Sequence, residues 1–178
     1  EVTVAASVSE EQSSDKSRAS GTYSASFEVL IKEALATSVS SVTEEELGRF
    51  KYLSMRKGEA GWMITYSFEN PIVAAEQGQD ADINVVVCQE ALDIQDIAAL
   101  PQLEYLNLDH TELPEGSLET LSSLKMITCD YIQLDMLRLA LGDAAKGLER
   151  LNASHLKSLE ALSYFPGLKS LEMEDCRE

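Results

Sequence analysis

The sequence predicts an α/β solenoid of about five to six short parallel strands, with an N-terminal helical cap and an inserted β-hairpin. Two observations lead there. An apolar frame, L-x-x-L-x-L, opens at Ile83, Leu103, Leu124, Leu148 and Leu168, at spacings of 20, 21, 24 and 20 residues. Its inward positions are Leu103, Leu106 and Leu108; Leu124, Ile127 and Cys129; Leu148, Leu151 and Ala153; Leu168, Leu171 and Met173; and, more weakly, Ile83, Val86 and Cys88. The segments between strands repeat too. Ile94, Ile97 and Leu100 precede Leu103 as Leu159, Leu162 and Phe165 precede Leu168, with Leu118 and Leu121 before Leu124 as a third copy. The 3.6-residue period of a helix bundle does not generate that register.

A period of roughly 20 to 29 residues with this frame is the signature of a leucine-rich repeat solenoid. The first, fourth and sixth positions point inward, and the return segment folds its own apolar residues onto them. One unit therefore has a core only when a neighbour covers it.

Residues 1–26 are rich in serine and nearly free of large apolar side chains, so they read as a disordered tether that cannot offset the entropy of ordering. Residues 27–82 read as cap, degenerate first repeat and hairpin, and residues 83–178 as the repeats. A helix is expected from Phe27 to Leu35, because Phe27, Leu30, Ile31, Ala34 and Leu35 share one face, with Ser26 as its cap. Thr43-x-x-Glu46 is a capping box for a shorter helix presenting Leu47 and Phe50. Both would close the N-terminal end of the stack. Lys51 to Met55 reads as a strand with Leu53 and Met55 inward. After a turn at residues 56–61, Trp62, Ile64, Tyr66 and Phe68 alternate with Met63, Thr65 and Ser67 as a half-buried strand. Asn70-Pro71 ends it, and residues 77–82 form a polar loop. The longer interval from Leu124 to Leu148 leaves room for a helical turn around Met136 to Leu141.

Fourteen basic against 31 acidic residues give a net charge of −17. That balance repels phosphate backbones and anionic lipid, so nucleic acid is excluded as a partner and a protein or cell-surface ligand with a basic patch is favoured. No apolar stretch of roughly 18 residues exists, which argues against membrane insertion. The three cysteines read as buried or semi-buried thiols, with Cys88 and Cys129 two strands and roughly 10 Å apart, beyond disulfide reach. No cofactor and no metal site is read from the chain, which is expected to be a monomer.

Stacking the frame aligns its outward positions into columns on the concave face. The third position runs Val85, Tyr105, Met126, Arg150, Ser170, and the fifth Val87, Asn107, Thr128, Asn152, Glu172. The seventh runs Gln89, Asp109, Asp130, Ser154, Glu174, and the eighth Glu90, His110, Tyr131, His155, Asp175. Tyr105, Asn107, Asp109, His110, Met126, Asp130, Tyr131, Arg150, Asn152 and His155 are therefore the candidate binding residues, because aromatic and arginine side chains on rigid strands are typical anchors. His110 and His155, two strands apart at roughly 10 Å, are too far apart to share one metal ion. Asp109 and Asp130 supply too few oxygens for a dedicated calcium site. Ser154, His155 and Asp130 are hydrolase residue types, but an open strand face has no cleft or oxyanion hole, so the chain is read as non-enzymatic.

The stretch from Ile94 to Leu108, IQDIAALPQLEYLNL, resembles the repeat unit of internalin-type bacterial leucine-rich repeat surface proteins. Val42 to Leu47 is similar to the lead-in of such repeats in secreted Firmicutes proteins. The resemblance spans roughly residues 27 to 178 and implies binding of a protein or surface component through the concave face, with no catalytic position. The ninth position departs from it. The asparagine expected there is Ala91, Thr111, Ile132, Leu156 and Cys176, so curvature is expected to be less regular.

The functional expectation is a secreted or cell-surface bacterial binding module with its signal peptide removed, a reading to which the serine-rich tether and the start at Glu1 without Met contribute. The alternative is a cytoplasmic interaction protein of the same repeat type, an immunity or regulatory partner, which the unpaired cysteines favour.

Overall fold

The computed structural model describes residues 23–108 and 113–176. The expected tether up to residue 22, and the candidate residues Asp109 and His110, lie outside them.

The chain begins with α1 (Ala25–Leu35), whose N-cap is Ser24 and not the expected Ser26: the Ser24 hydroxyl accepts from the Phe27 amide at 3.1 Å. Ser26 is buried inside the first turn and donates instead to the Glu90 carbonyl at 2.7 Å. Phe27, Leu30 and Ile31 face the core at 0% exposure, which fixes the helix under the strand next to Glu90. Next comes α2 (Glu44–Leu47), opened by the capping box, with Thr43 N donating to Glu46 Oε2 at 2.8 Å and Glu46 N to Thr43 Oγ1 at 3.2 Å.

Strands β1 (Tyr52–Gly58) and β2 (Gly61–Ser67) pair antiparallel through seven residue pairs, from Tyr52 with Ser67 to Gly58 with Gly61. A short helix, α3 (Pro71–Glu76), follows, capped by Asn70, whose Oδ1 accepts from Ile72 N at 3.1 Å. Then come β3 (Asn84–Cys88), α4 (Ile94–Ala98), β4 (Tyr105–Leu108), β5 (Met126–Asp130), α5 (Leu134–Leu141), a 3-10 turn at Gly142–Gly147, β6 (Arg150–Ser154), a second 3-10 turn at Glu160–Tyr164 and β7 (Ser170–Glu174). The long interval between β5 and β6 is filled by α5 and its 3-10 extension.

All seven strands form one open sheet in the order β3-β2-β1-β4-β5-β6-β7. This corrects the predicted fold class: the chain is an α/β protein with a mixed seven-stranded sheet, not a leucine-rich repeat solenoid of five or six parallel strands. β1, β4, β5, β6 and β7 are parallel neighbours, whereas β2 runs antiparallel to both β1 and β3. The cause is local. The β1–β2 hairpin occupies the edge of β1 on which a parallel strand would have to sit, so β3 pairs with β2. Register moves with it: Val85 and Val87 align with Thr65 and Met63, and through them with Ser54 and Arg56. Val85 thus falls in the row of Asn107 and not that of Tyr105, a shift of two residues that preserves the face. Ile83, expected inward, lies outside the strand and is 51% exposed.

One face of the sheet is buried in a single core. Leu53, Leu106, Ile127 and Leu151 form one inward row, and Met55, Leu108, Cys129 and Ala153 the next, all at 1% exposure or less. Leu100, Leu103, Leu118, Leu121, Leu124, Leu137, Leu141 and Leu148 cover them from the return segments. Cys88 and Cys129 lie four strands apart rather than two; both are buried, while Cys176 is exposed, contrary to expectation, and all three are free thiols.

Charge alternates across the strand starts. Lys51, Glu104, Lys125, Glu149 and Lys169 occupy equivalent places, each linked to the next by a backbone bond of 2.8 or 2.9 Å from its amide to the preceding carbonyl. Lys51 pairs with Glu104 at 3.3 Å, and Glu149 with Lys125 at 3.8 Å and Lys169 at 2.7 Å. A slip of one strand by a residue would separate these opposite charges.

Candidate binding face

The opposite face of the sheet is open. Pleating alternates side chains, so every residue between two core residues of a strand stands on this face. The backbone register then sets three rows. The first runs Tyr52, Tyr105, Met126, Arg150, Ser170, with the buried Ser67 beside Tyr52; the second Val85, Thr65, Ser54, Asn107, Thr128, Asn152, Glu172. The third holds Val87, Met63 and Arg56 at one end and Asp130, Ser154 and Glu174 at the other.

Of the sequence-predicted residues, Tyr105, Asn107, Met126, Asp130, Arg150 and Asn152 are brought together on these rows. Tyr131 and His155 stand at the C-terminal rim, just past β5 and β6. Tyr52 and Ser54 belong to the same surface and were not among the predicted residues, because the predicted columns placed Val85 and Val87 beside β4, where β1 sits.

The centre of the face is held rigidly. Tyr52 and Tyr105 pack with ring centroids 4.9 Å apart at 51°, and the Tyr105 hydroxyl lies 3.3 Å from Thr128 Oγ1. Burial, more than any charge, pushes the Tyr52 phenol above its usual pKa, so it is a neutral hydrogen-bonding group at physiological pH. Asn152 Nδ2 donates to Glu172 Oε2 at 3.2 Å. Arg150 forms an ion pair with Glu76 of α3, and Asn70, at the start of that helix, donates to Glu104 Oε2 at 3.2 Å. The β2–β3 connection therefore reaches the start of β6 and walls the first row. Its signal in the sequence was Asn70 followed by Pro71, an N-cap before a proline at the first helical position, read above only as a strand end.

The rim has unusual backbone. Tyr131, His155 and Asp175 follow the ends of β5, β6 and β7, and all three are left-handed, with φ of 61°, 57° and 49°. Holding a non-glycine residue there costs roughly 1 kcal/mol. It aims the Tyr131 and His155 rings at each other, stacked at 3.9 Å and 16°, with Tyr131 54% exposed. Gln133 fixes this corner from below, donating to the His155 carbonyl at 3.3 Å and accepting from Lys157 N at 2.8 Å.

Ser154, His155 and Asp130 also meet. Ser154 Oγ donates to Asp130 Oδ1 and lies 2.8 Å from His155 Nδ1. Because the hydroxyl proton is given to the carboxylate, Oγ is left to accept from the imidazole. A serine nucleophile needs the reverse order, with the imidazole taking the serine proton and the carboxylate orienting the imidazole.

Among the described residues no group of three or more His, Cys, Asp or Glu side chains is arranged to hold a metal ion, and no helix is long and apolar enough to cross a membrane. A separate cleft of about 590 Å³ opens between α5 and the last 3-10 turn, lined by Gln133, Arg138, Lys157 and Tyr164 among others. There the Arg138 guanidinium covers the Tyr164 ring at 4.2 Å. Compared with known protein families and with curated proteins, the chain matches none.

Proposed function

We propose that this protein is a non-enzymatic binding module that takes a protein partner on the open face of its sheet. One observation carries the reading. In a chain with 31 acidic residues, the first two rows carry no carboxylate from β1 to β6: Tyr52, Ser54, Tyr105, Asn107, Met126, Thr128, Arg150 and Asn152 stand together. Among the described residues, acidic side chains begin only at the margin, with Asp130, Glu172, Glu174 and Glu76. Tyr, Met and Arg are the side chains enriched where proteins meet, and carboxylates are depleted there. The strands hold these groups in place, so little ordering entropy is lost on association. The acidic margin favours a partner that is apolar or uncharged at its centre and basic at its edge. The proton order at Ser154 supports binding over hydrolysis.

The test is a selection from a displayed random peptide library on the wild-type protein, followed by titration of the selected peptides against Tyr52→Ala, Tyr105→Ala and Arg150→Ala. Each variant is expected to fold as the wild type does and to lose at least about 1 kcal/mol of binding. Peptides indifferent to all three, yet lost on Arg138→Ala or Tyr164→Ala, would move the site to the cleft beside α5.

A further inference from the structure

Independently of the open face, we propose that the edge of β7 accepts an added β-strand of alternating apolar and basic residues. Three observations meet at that edge. Among the described residues β7 pairs only with β6, so one side of its backbone is free to extend the sheet. Its inward residues are uncovered as well. Leu108, Cys129 and Ala153 are fully buried, whereas Met173 in the same row is 44% exposed, Leu171 is only partly buried, and Leu159 in the preceding turn is 45% exposed. Finally, the edge carries charge in a fixed order: Glu172 and Glu174 on the open face, and Lys169 at the strand start where the alternating series ends.

These features specify the incoming strand. Beside Leu171 and Met173 it needs apolar side chains to complete the two inward rows. Beside Glu172 and Glu174 it needs lysine or arginine, since opposite charges directly across a sheet attract. Beside Lys169 it needs a carboxylate, which continues the alternation of Lys125, Glu149 and Lys169. Main-chain bonds would supply affinity and the alternating side chains specificity, as in other cases of strand addition. A second copy of this chain fits poorly. Edge-to-edge pairing would set acidic β7 faces side by side, between molecules of net charge −17.

The probe is a fluorescein-labelled peptide with the core Glu-Ser-Leu-Lys-Leu-Lys between Gly-Ser flanks, compared by anisotropy with its charge-inverted isomer, Lys-Ser-Leu-Glu-Leu-Glu. At low ionic strength the first is expected to bind at least about tenfold more tightly, a preference that salt narrows. The E172K/E174K double variant should reverse the preference, E172Q/E174Q should flatten it, and Met173→Lys should weaken both peptides. The matching peptide should also slow alkylation of the exposed Cys176, which lies just past β7. Equal affinity for the two isomers, or a preference untouched by the charge-swapped variant, would overturn the proposal. So would a dimer in sedimentation that Met173→Lys abolishes, because the edge would then belong to a second copy.

Discussion

Gly61 sits at φ 134°, and a Cβ there would meet the Cys88 carbonyl oxygen at 2.4 Å. Both the backbone conformation and the approach of β3 to β2 exclude a side chain. Gly61→Ala is expected to destabilise the fold by on the order of 2 kcal/mol or more, measured by urea unfolding, while Gly78→Ala, with open space around it, should cost less. Thiol chemistry separates the cysteines at the same scale. Burial pushes the Cys129 thiol up to about 12 and raises that of Cys88, so neither is a nucleophile in the native protein. Alkylation should give one fast equivalent, at Cys176, and three in denaturant; three fast equivalents would show that the sheet opens readily.

Asp96 is the buried carboxylate that joins α1 to α4. It accepts from Ser24 N at 3.2 Å, from the Ser24 hydroxyl and from Asp93 N at 3.0 Å. Burial raises its pKa, against the lowering by those three bonds. The folded state therefore holds this proton more tightly than the unfolded chain does. The stability that follows is present in full below the ordinary aspartate value of 3.8 and is lost as pH rises through the raised one. Asp96→Ala orphans Ser24 and the Asp93 amide and should cost about 1–3 kcal/mol, with a gap to wild type that widens in acid. A gap that narrows in acid would reverse the sign assigned here.

At the scale of elements, the alternating charges at the strand starts act on register more than on total stability. Glu149 stands between Lys125 and Lys169, and the hydrogen bond from Lys169, with both ammonium groups, holds its carboxyl below the usual range. Its contribution is present above the ordinary glutamate value of 4.5 and is lost as pH falls through the lowered pKa, the reverse of Asp96. Glu149→Lys should lower the melting temperature at low ionic strength and recover in salt, because the three charges are solvent-screened. No salt dependence would mean that the series is incidental. α1 is a different case, held by apolar contact. Replacing Leu30 and Ile31, both fully buried, with Asp should unfold or aggregate the chain through unpaired buried charge. A soluble, cooperatively folding double variant would show that the core closes without this helix.

Across the whole molecule, legibility followed sequence distance. The inward positions of β4 to β7 were readable because side-chain alternation and spacing place Leu106, Ile127, Leu151 and Leu171 in one row whatever lies beyond them. The sheet order was not. A hairpin competes with a parallel neighbour through local pairing, and the weak copy at Ile83 shows the same apolar alternation whether β3 sits beside β2 or beside β4. The open face was legible where it depended on register within the parallel strands, at Tyr105, Asn107, Met126, Arg150 and Asn152. It failed at Tyr52 and at Glu76, which reach the same surface only through the order of strands and the path of α3. Position 9 gave a further signal that the frame alone could not interpret: Ile132 and Leu156 are buried apolar residues, so the corners after β5 and β6 are sealed by packing.

The placement of the two described ends at opposite edges of the sheet has a mechanical consequence. α1 is fastened to β3 and the last described residues leave β7, six interstrand steps away, roughly 29 Å at about 4.8 Å each. Tension applied between the two ends runs across the strands, so the inter-strand seams are loaded together with the contacts of α1 to α4 and to the core. Under such loading a sheet parts at its weakest seam rather than sharing the burden. Of these seams β6–β7 has the least apolar cover, with Met173 44% exposed and Leu171 only partly buried, while β1–β4 and β4–β5 are the shortest, at four residue pairs each.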